Sequence, residues 1–302
     1  MKKYVVGGAV ILAGLVGVEC VCRWGLGLGS PPLSVAHPTI EYMFKPNTTY
    51  KRFGRVVKFN RYGMRSDAIA PRRAAHELRI LVLGDSVPNG GSLTDQAELA
   101  TEIVKRDLTA RLSRPVVVGN ISAGTWSPPN LLAYIEVFGT FDATVAVIIL
   151  NGEDLDDVPT FAPLNPRTHP TRKPLTATGE LVSRYLWPRL AGLLDQTDSE
   201  ELPPPVVGAR AQCVAALDAL VDRLRADGCQ VVMMYHPFRH EMSTDGTFVP
   251  DEAFGVIRSI AAQHGVSFRS LDGRYSLALR HGSALYRDGQ HPTAEVRQRD
   301  RP

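Results

Sequence analysis

The sequence predicts an α/β protein in which a parallel sheet is covered by helices on both faces. From residue 78 onward, short apolar runs alternate with segments whose apolar residues recur at helical spacing. The apolar runs are continuous and do not alternate with polar residues, which is typical of parallel strands buried on both sides. An apolar N-terminal run and a segment rich in Gly and Pro precede this part of the chain.

The first element is an apolar run over residues 4–22, which is interrupted by Glu19 and closed by Arg23. A helix of about 20 residues crosses the hydrocarbon core of a bilayer, so this run is just long enough to span it. Two lysines before the run favour a cytoplasmic N-terminus and an exported remainder. We therefore expect residues 1–24 to be an uncleaved membrane anchor. A cleaved signal peptide and a buried soluble helix are the alternatives.

The second segment, residues 25–76, is rich in Gly, Pro and aromatic residues. Residues 55–59 predict a short strand, and the Tyr-Gly pair at 62–63 predicts a turn. We expect this segment to form a small β-rich extension between the anchor and the main domain, which occupies residues 77–302.

The main domain contains the alternating elements. The predicted strands are residues 79–83, 116–119, 144–150, 230–235 and 266–268, and the predicted helices are residues 95–112, 129–138, 214–224 and 252–264. Side chains that follow the carboxyl ends of parallel strands meet in one crevice of such a sheet. Ser86, Asn120, Asn151 and His236 each follow a predicted strand, so we expect all four to face that crevice.

Composition excludes some classes of protein. The chain has 302 residues with a formal net charge of +3, which is too small and too scattered to indicate nucleic-acid binding. Four cysteines are present, and none of their spacings resembles a disulfide framework or a metal site. We expect them to be buried free thiols.

A serine at the mouth of a buried strand and a later Asp-His pair provide the residues of a nucleophilic triad. Ser86 ends a Gly-Asp-Ser turn, while Asp288 and His291 lie three residues apart near the C-terminus. A serine hydroxyl becomes nucleophilic when a base takes its proton, and that base needs a carboxylate to orient it. By itself the Gly-Asp-Ser turn is also compatible with simple helix capping. The downstream pair favours a serine esterase.

Three motifs resemble those of the SGNH (GDSL) hydrolase family. They are the Gly-Asp-Ser turn at 84–86, the segment 120–124 (Asn-Ile-Ser-Ala-Gly) and the segment 288–292 (Asp-Gly-Gln-His-Pro). The resemblance covers roughly residues 77–295. It implies a three-layer α/β/α fold with a flavodoxin-like sheet, and hydrolysis of acyl esters, including acetyl groups on sugars, without a metal or cofactor.

The same resemblance implies roles for single residues. Ser86 is expected to be the nucleophile, His291 the base and Asp288 its partner. The backbone N–H groups of Ser86 and Gly124 are expected to form the oxyanion hole together with a side-chain amide. We also expect Asn120 and Trp126 to contact substrate, although Asn120 could instead tie loops together behind the site and Trp126 could be loop packing.

One motif departs from the family pattern. The family supplies the oxyanion amide from the Asn of a Gly-x-Asn-Asp block after the third strand, and the natural alignment places Glu153 there. An ionised carboxylate donates no hydrogen bond, and its charge opposes an oxyanion. Asn151 could replace the missing amide if the loop is shifted by two residues.

The extension and the anchor resemble those of membrane-anchored bacterial members of the family, which carry similar segments at 42–47 and 60–65. That likeness implies a single-pass protein of the bacterial inner membrane with an exported catalytic domain, acting on an acylated glycan or another small ester. The alternatives are an acyltransferase, a catalytically weak carbohydrate-binding or assembly protein, and a phospholipid lipase. Residues 293–302 are short and polar, so we expect the sheet to lack one covering helix.

Overall fold

The computed structural model describes residues 2–193 and 206–293. Helix α1, Lys2–Cys20, continues into a π-type turn at Val21–Gly25. The segment Lys3–Gly25 is long and apolar enough to cross a membrane, with a mean hydropathy of 2.3, and 6% of it is buried in the protein. A membrane span and a signal sequence both fit this description.

Residues 25–76 form two antiparallel hairpins. Strand β1 (Ser34–His37) pairs with β2 (Glu41–Phe44), and β3 (Thr48–Arg52) pairs with β4 (Arg55–Phe59). The predicted strand at 55–59 is therefore confirmed, and the other three strands had no clear sequence signal. Much of this segment packs into the main core, which includes Ile40, Tyr42, Met43 and Met64.

The central sheet has five strands, all paired in parallel. They are β5 (Leu78–Gly84), β6 (Val116–Ser122), β7 (Val145–Leu150), β8 (Gln230–Tyr235) and β9 (Ser267–Ser270). Their spatial order is β6-β5-β7-β8-β9. Counted within the domain this order is 2-1-3-4-5, which is the flavodoxin-like arrangement. The predicted parallel α/β architecture is confirmed.

Helices cover both faces of the sheet. The remaining α-helices are α2 (Ser86–Asn89), α3 (Ala100–Leu112), α4 (Pro128–Phe138), α5 (Ala177–Glu180), α6 (Trp187–Leu193), α7 (Ala209–Ala226), α8 (Glu252–Gln263) and α9 (Asp272–Arg280). On one face, apolar residues of α4, α7 and α8 form a single core with those of β5, β7 and β8. On the other face, Leu108 of α3 packs against β5 and β6.

The face that carries α3 is only half-buried along β7, at Val145, Val147 and Ile149. The expected absence of a closing helix concerns residues 293–302, of which all but the first lie outside the described residues. The four cysteines are free thiols, and three of them, Cys22, Cys213 and Cys229, are buried.

Candidate active site

The nucleophile candidate lies in a tight turn between β5 and α2. Asp85 is the N-cap of α2, and its Oδ1 accepts a hydrogen bond of 2.8 Å from the N–H of Val87. A Cβ on Gly84 would come within 2.8 Å of the Pro88 ring and 2.9 Å of the carbonyl oxygen of Ile149. Glycine is therefore required at 84 by lack of space, and the turn presents Ser86 at the end of the central strand.

Ser86, His291 and Asp288 form a continuous hydrogen-bonded chain. The distance from Ser86 Oγ to His291 Nε2 is 3.0 Å, and the distance from His291 Nδ1 to Asp288 Oδ2 is 2.8 Å. Because the Asp288 carboxylate accepts at Nδ1, the imidazole proton lies there and Nε2 can accept from the serine hydroxyl. The structure thus brings together the three residues that the motifs predicted.

The carboxylate of Asp288 also shapes its own loop. Its Oδ1 accepts from the backbone N–H of Gln290 at 2.9 Å and from that of His291 at 2.7 Å. Partial burial would raise the pKa of Asp288, but these bonds and the His291 ring outweigh it and lower the pKa below its usual value. Asp288 is therefore ionised at neutral pH, as an orienting carboxylate must be.

His236 holds the loop that carries Asp288 and His291. It was expected in the crevice because it follows a strand, but its side chain is 1% exposed. Its Nε2 lies 2.6 Å from the carbonyl oxygen of Gln290, and its Nδ1 lies 2.8 Å from the hydroxyl of Tyr275. Burial lowers the pKa of His236 to about 4, so the ring is neutral. A further bond of 3.0 Å joins the N–H of Arg239 to the carbonyl oxygen of Gly289.

Behind Ser86, Asn151 connects two buried carboxyl groups. Its Nδ2 donates to Asp85 Oδ2 at 2.9 Å, and its backbone N–H donates to Asp154 Oδ2 at 2.8 Å. Burial raises the pKa of Asp85 to about 6 and raises that of Asp154 well above its usual value. One of the two amide hydrogens of Asn151 is therefore committed to Asp85.

Glu153 lies on the wall of the cleft beside the triad. This cleft has a volume of 340 Å³ and is lined by Glu153, Phe238, His240, Asp288, Gly289, Gln290 and His291. The backbone N–H of Glu153 donates to Asn151 Oδ1 at 2.9 Å, which fixes the turn between the two residues. Glu153 thus borders the same cleft as His291.

Gln290 is a site residue that the sequence analysis missed. Its side-chain Nε2 lies 3.3 Å from Ser86 Oγ, so an amide donor reaches the candidate nucleophile from the loop that carries His291. The available signal was its position directly before His291, together with the lack of an Asn at position 153.

Two predicted substrate contacts are wrong. Asn120 is fully buried, and its Nδ2 donates to the carbonyl oxygen of Pro88 at 2.8 Å. Strand β6 continues past the predicted end at 119, which places Asn120 opposite Val82 within the sheet. Trp126 is 3% exposed, and its indole N–H donates to the carbonyl oxygen of Tyr42 at 3.1 Å. Both side chains fasten the framework, so neither can contact a substrate.

The segment at 60–65 has a structural role next to the site. Arg65 is fully buried, and its guanidinium donates to the carbonyl oxygens of Asn89, Gly91 and Thr94, the last at 2.6 Å. These carbonyl groups belong to the chain that follows Ser86. The carbonyl oxygen of Gly124 is fixed in a similar way, because Tyr42 Oη donates a hydrogen bond to it.

One group of potential metal ligands occurs in the described residues, namely His240, Glu241 and Asp251. The oxygens of Glu241 already accept from Tyr235 Oη at 2.8 Å and from the N–H groups of Phe238 and Asp251. These bonds satisfy the Glu241 carboxylate within the protein.

No protein-family model matches the chain, and no curated protein sequence matches it. Several solved structures match the chain at low sequence identity. TesA has 16% sequence identity over 73% of this chain and 92% of that chain, with a TM-score of 0.42. Axe2, an acetylxylan esterase from Geobacillus stearothermophilus, has 15% identity over 73% of this chain and 89% of that chain, with a TM-score of 0.43. The acetyl xylan esterase AlAXEase has 12% identity over 73% of this chain and 94% of that chain, with a TM-score of 0.46. At these values the similarity carries no argument about function.

Proposed function

We propose that the protein is a serine esterase of the SGNH type that acts through an acyl-serine intermediate. The observation that carries this proposal is the chain of hydrogen bonds from Ser86 through His291 to Asp288. His291 Nε2 takes the hydroxyl proton as Ser86 Oγ attacks the ester carbonyl carbon. The tetrahedral intermediate then expels the alcohol, which receives that proton from His291. Water attacks the acyl-serine in the second half, again with His291 as the base, and releases the carboxylic acid.

The oxyanion of both intermediates needs fixed donors. We assign the backbone N–H groups of Ser86 and Gly124 to this role, because neither takes part in the hydrogen bonds of the described chain. The side-chain amide is supplied by Gln290, which already reaches Ser86 Oγ, or by the free amide hydrogen of Asn151. Glu153 leaves no amide at the family's usual position.

The lining of the cleft supports a short acyl group on a polar carrier. Glu153, His240, Asp288, Gln290 and His291 present polar atoms, and Phe238 is the one large apolar side chain among the lining residues. A long acyl chain would require an extended apolar surface to leave water. The cleft of 340 Å³ has room for a short acyl group, and we propose an acetyl ester on a cell-surface or exported glycan as the substrate.

Two single variants and their combination test the triad. We expect Ser86→Ala and His291→Ala each to abolish hydrolysis of p-nitrophenyl acetate by the full-length protein, and the double variant to be hardly worse, since triad members act as one unit. Labelling by a fluorophosphonate should disappear in Ser86→Ala. The exposed Ser259→Ala on α8 is the matched control. Equal, independent partial losses, or labelling that persists in Ser86→Ala, would contradict the proposal.

We further propose that α1 is retained as an inner-membrane anchor with the catalytic domain on the exported side. The end of the anchor makes contacts with the domain, and these contacts support retention of α1 in the mature protein. The Glu19 carboxylate accepts from the backbone N–H groups of Ala177 at 2.8 Å and Thr178 at 2.9 Å, and Arg23 pairs with Glu19 at 2.6 Å. Cys22 is buried against Leu28 and Ala177. Cleavage of a signal peptide near residue 22 would remove Glu19 and expose this cluster.

The full-length chain provides the test. It should remain with membranes after carbonate extraction and keep its N-terminal residues, as measured by mass spectrometry of the intact protein. Recovery of a soluble chain that begins after residue 22 would identify a signal peptide instead.

A further inference from the structure

A helical segment that begins at the anchor presents an apolar face to the outside of the protein. This segment, here called the junction helix, comprises residues 177–193, namely α5, a π-type turn at Leu181–Leu186 and α6. Its first turn is capped by the anchor, because Glu19 accepts from the N–H groups of Ala177 and Thr178. The beginning of the junction helix therefore lies at the same level as the last turns of the anchor.

The inner face of the junction helix is held firmly. Glu180 and Arg52 form an ion pair of 2.6 Å in which both side chains are 1% exposed. Glu180 also accepts from the backbone N–H of Gly29 at 2.6 Å, and the Arg52 guanidinium donates to Tyr185 Oη at 3.0 Å. Leu181 and Tyr185 pack on the cluster around Cys22 and Leu28. Removal of Glu180 would leave the Arg52 charge buried without its ion-pair partner, so this attachment is specific.

The outer face carries large apolar side chains in solvent. Val182 is 46% exposed, Leu186 44%, Trp187 53% and Leu190 50%. Positions 182, 186 and 190 repeat at i, i+4 and i+8, so they form one stripe along the helix. Trp24, at the end of the anchor segment, is 78% exposed. Contiguous apolar residues on a surface mark a contact with another apolar phase.

We propose that the outer face of the junction helix lies in the membrane interface, as a second contact beside the anchor. The partner is the lipid surface that the anchor crosses, so the inference rests on the proposed retention of α1. A helix of 23 residues, Lys3–Gly25, is about 34 Å long, which exceeds a hydrocarbon core of about 30 Å and leaves Arg23 and Trp24 at the boundary. Glu19 caps the junction helix within this last part of the span.

The chemistry of the surrounding residues fits a lipid surface. Tryptophan is enriched at the membrane interface, and Trp24 and Trp187 belong to the anchor and the junction helix. Arg189 on the junction helix is exposed, as are Arg172 and Lys173, which precede the helix in the chain, and all three can contact anionic headgroups. An apolar stripe flanked by basic residues is the pattern of a helix that lies in the plane of the interface.

Spin-label depth measurements on the full-length protein in vesicles of phosphatidylethanolamine and phosphatidylglycerol test this contact. Labels are attached at Leu186→Cys and Leu190→Cys, with Val10→Cys within α1 as the anchor control. Leu277→Cys on α9, where the leucine is 60% exposed, is the matched control away from the junction. We expect the ratio of oxygen to nickel-chelate accessibility at 186 and 190 to exceed that at 277 several-fold.

The controls separate the possible failures. If the labels at 186 and 190 behave like that at 277 while the label at 10 is in lipid, the junction helix is in water and the inference is overturned. If the label at 10 is also in water, the anchor proposal fails with it. Low accessibility to both reagents together with spin–spin broadening would identify a second copy of the chain as the partner, which also overturns the inference.

Native tryptophans give a second measurement that needs no label. In Trp24→Phe, Trp187 is the exposed indole that remains, since Trp126 is buried. Brominated lipids should still quench part of the emission of Trp24→Phe, and the additional Trp187→Phe substitution should remove that quenching. Absence of quenching in Trp24→Phe contradicts a membrane position of the junction helix.

Discussion

The buried ring of His236 donates a hydrogen bond of 2.6 Å to the carbonyl oxygen of Gln290, the residue directly before His291. A carbonyl oxygen can only accept, so the imidazole proton lies on Nε2 and Nδ1 accepts from Tyr275 Oη. His236 therefore connects the end of a sheet strand to the loop that carries the base. The rigid sheet fixes that loop through a neutral imidazole.

His236→Ala should lower kcat for p-nitrophenyl acetate more than it raises KM. The substitution removes the hydrogen bond that holds the carbonyl oxygen of Gln290, and the loss of a partner for a buried polar group costs about 1–3 kcal/mol. The loop then loses its alignment with Ser86. His236→Gln keeps one donor and one acceptor and should recover much of the activity. The exposed His281→Gln is the control and should leave kcat unchanged. Wild-type kcat in His236→Ala would contradict a positioning role.

The same residue predicts a pH dependence of stability. The pKa of His236 is about 4 in the folded protein and 6.5 in the unfolded chain. The unfolded chain therefore binds more protons between these values, so the contribution of His236 is complete above pH 6.5 and is lost as the pH falls towards 4. Asp85 acts in the opposite direction. Its pKa is raised to about 6, so the free-energy cost of burying its charge disappears as the carboxyl is protonated at lower pH.

A comparison of wild type with His236→Gln isolates the histidine, because Asp85 is present in both. On going from about pH 7 to about pH 4.5, the free energy of unfolding of the variant should improve relative to wild type by about 2–3 kcal/mol. Urea unfolding in detergent at the two pH values measures this difference. Parallel changes in the two proteins would show that His236 binds no extra proton on unfolding.

Most of the fold could be predicted from the sequence because the sheet strands are continuous apolar runs. Strand β8 occupies the predicted residues 230–235, and the predicted helix at 129–138 is one residue longer. Strand β6 is longer than predicted because Asn120 and Ser122, though polar, are buried and hydrogen-bonded inside the protein. Such burial depends on tertiary partners, which a local pattern does not contain.

The grouping of Ser86, Asp288 and His291 could be predicted because Asp288 and His291 are close in sequence and Ser86 belongs to a recognisable motif. The supporting residues could not be, since their roles depend on side-chain direction. His236 and Trp126 were expected at the crevice, and both side chains are buried. Gln290 was overlooked because its position before His291 does not by itself show that its amide turns towards Ser86.

Gln290→Ala should lower kcat by about 10²–10³, which is typical for the loss of one oxyanion donor, with little change in KM. The reason is that its Nε2 is already 3.3 Å from Ser86 Oγ, close to where the oxyanion develops. Gln290→Glu has the same shape but lacks the donor, so it should be at least as slow. If Gln290→Ala retains wild-type kcat, the amide only holds the resting hydroxyl and is not a donor to the oxyanion.

At position 153 this chain carries a Glu where the family that it resembles has an amide. Glu153 borders the cleft, and an ionised carboxylate there opposes the developing oxyanion. Glu153→Gln, which keeps the shape and removes the charge, should raise kcat moderately, and Glu153→Asn should do so more if its amide reaches the oxyanion.

Asn151→Ala is expected to act in the opposite direction. It leaves Asp85 Oδ2 without the amide that it accepts from at 2.9 Å, so both the stability of the nucleophile turn and kcat should fall. Steady-state kinetics and thermal unfolding of the three variants separate the two effects, since the Glu153 variants should change kcat with little change in melting temperature. If kcat is unchanged in both Glu153 variants, the carboxylate is too far from the reacting carbonyl to influence it, and the oxyanion is held by the groups around Ser86 and Gln290.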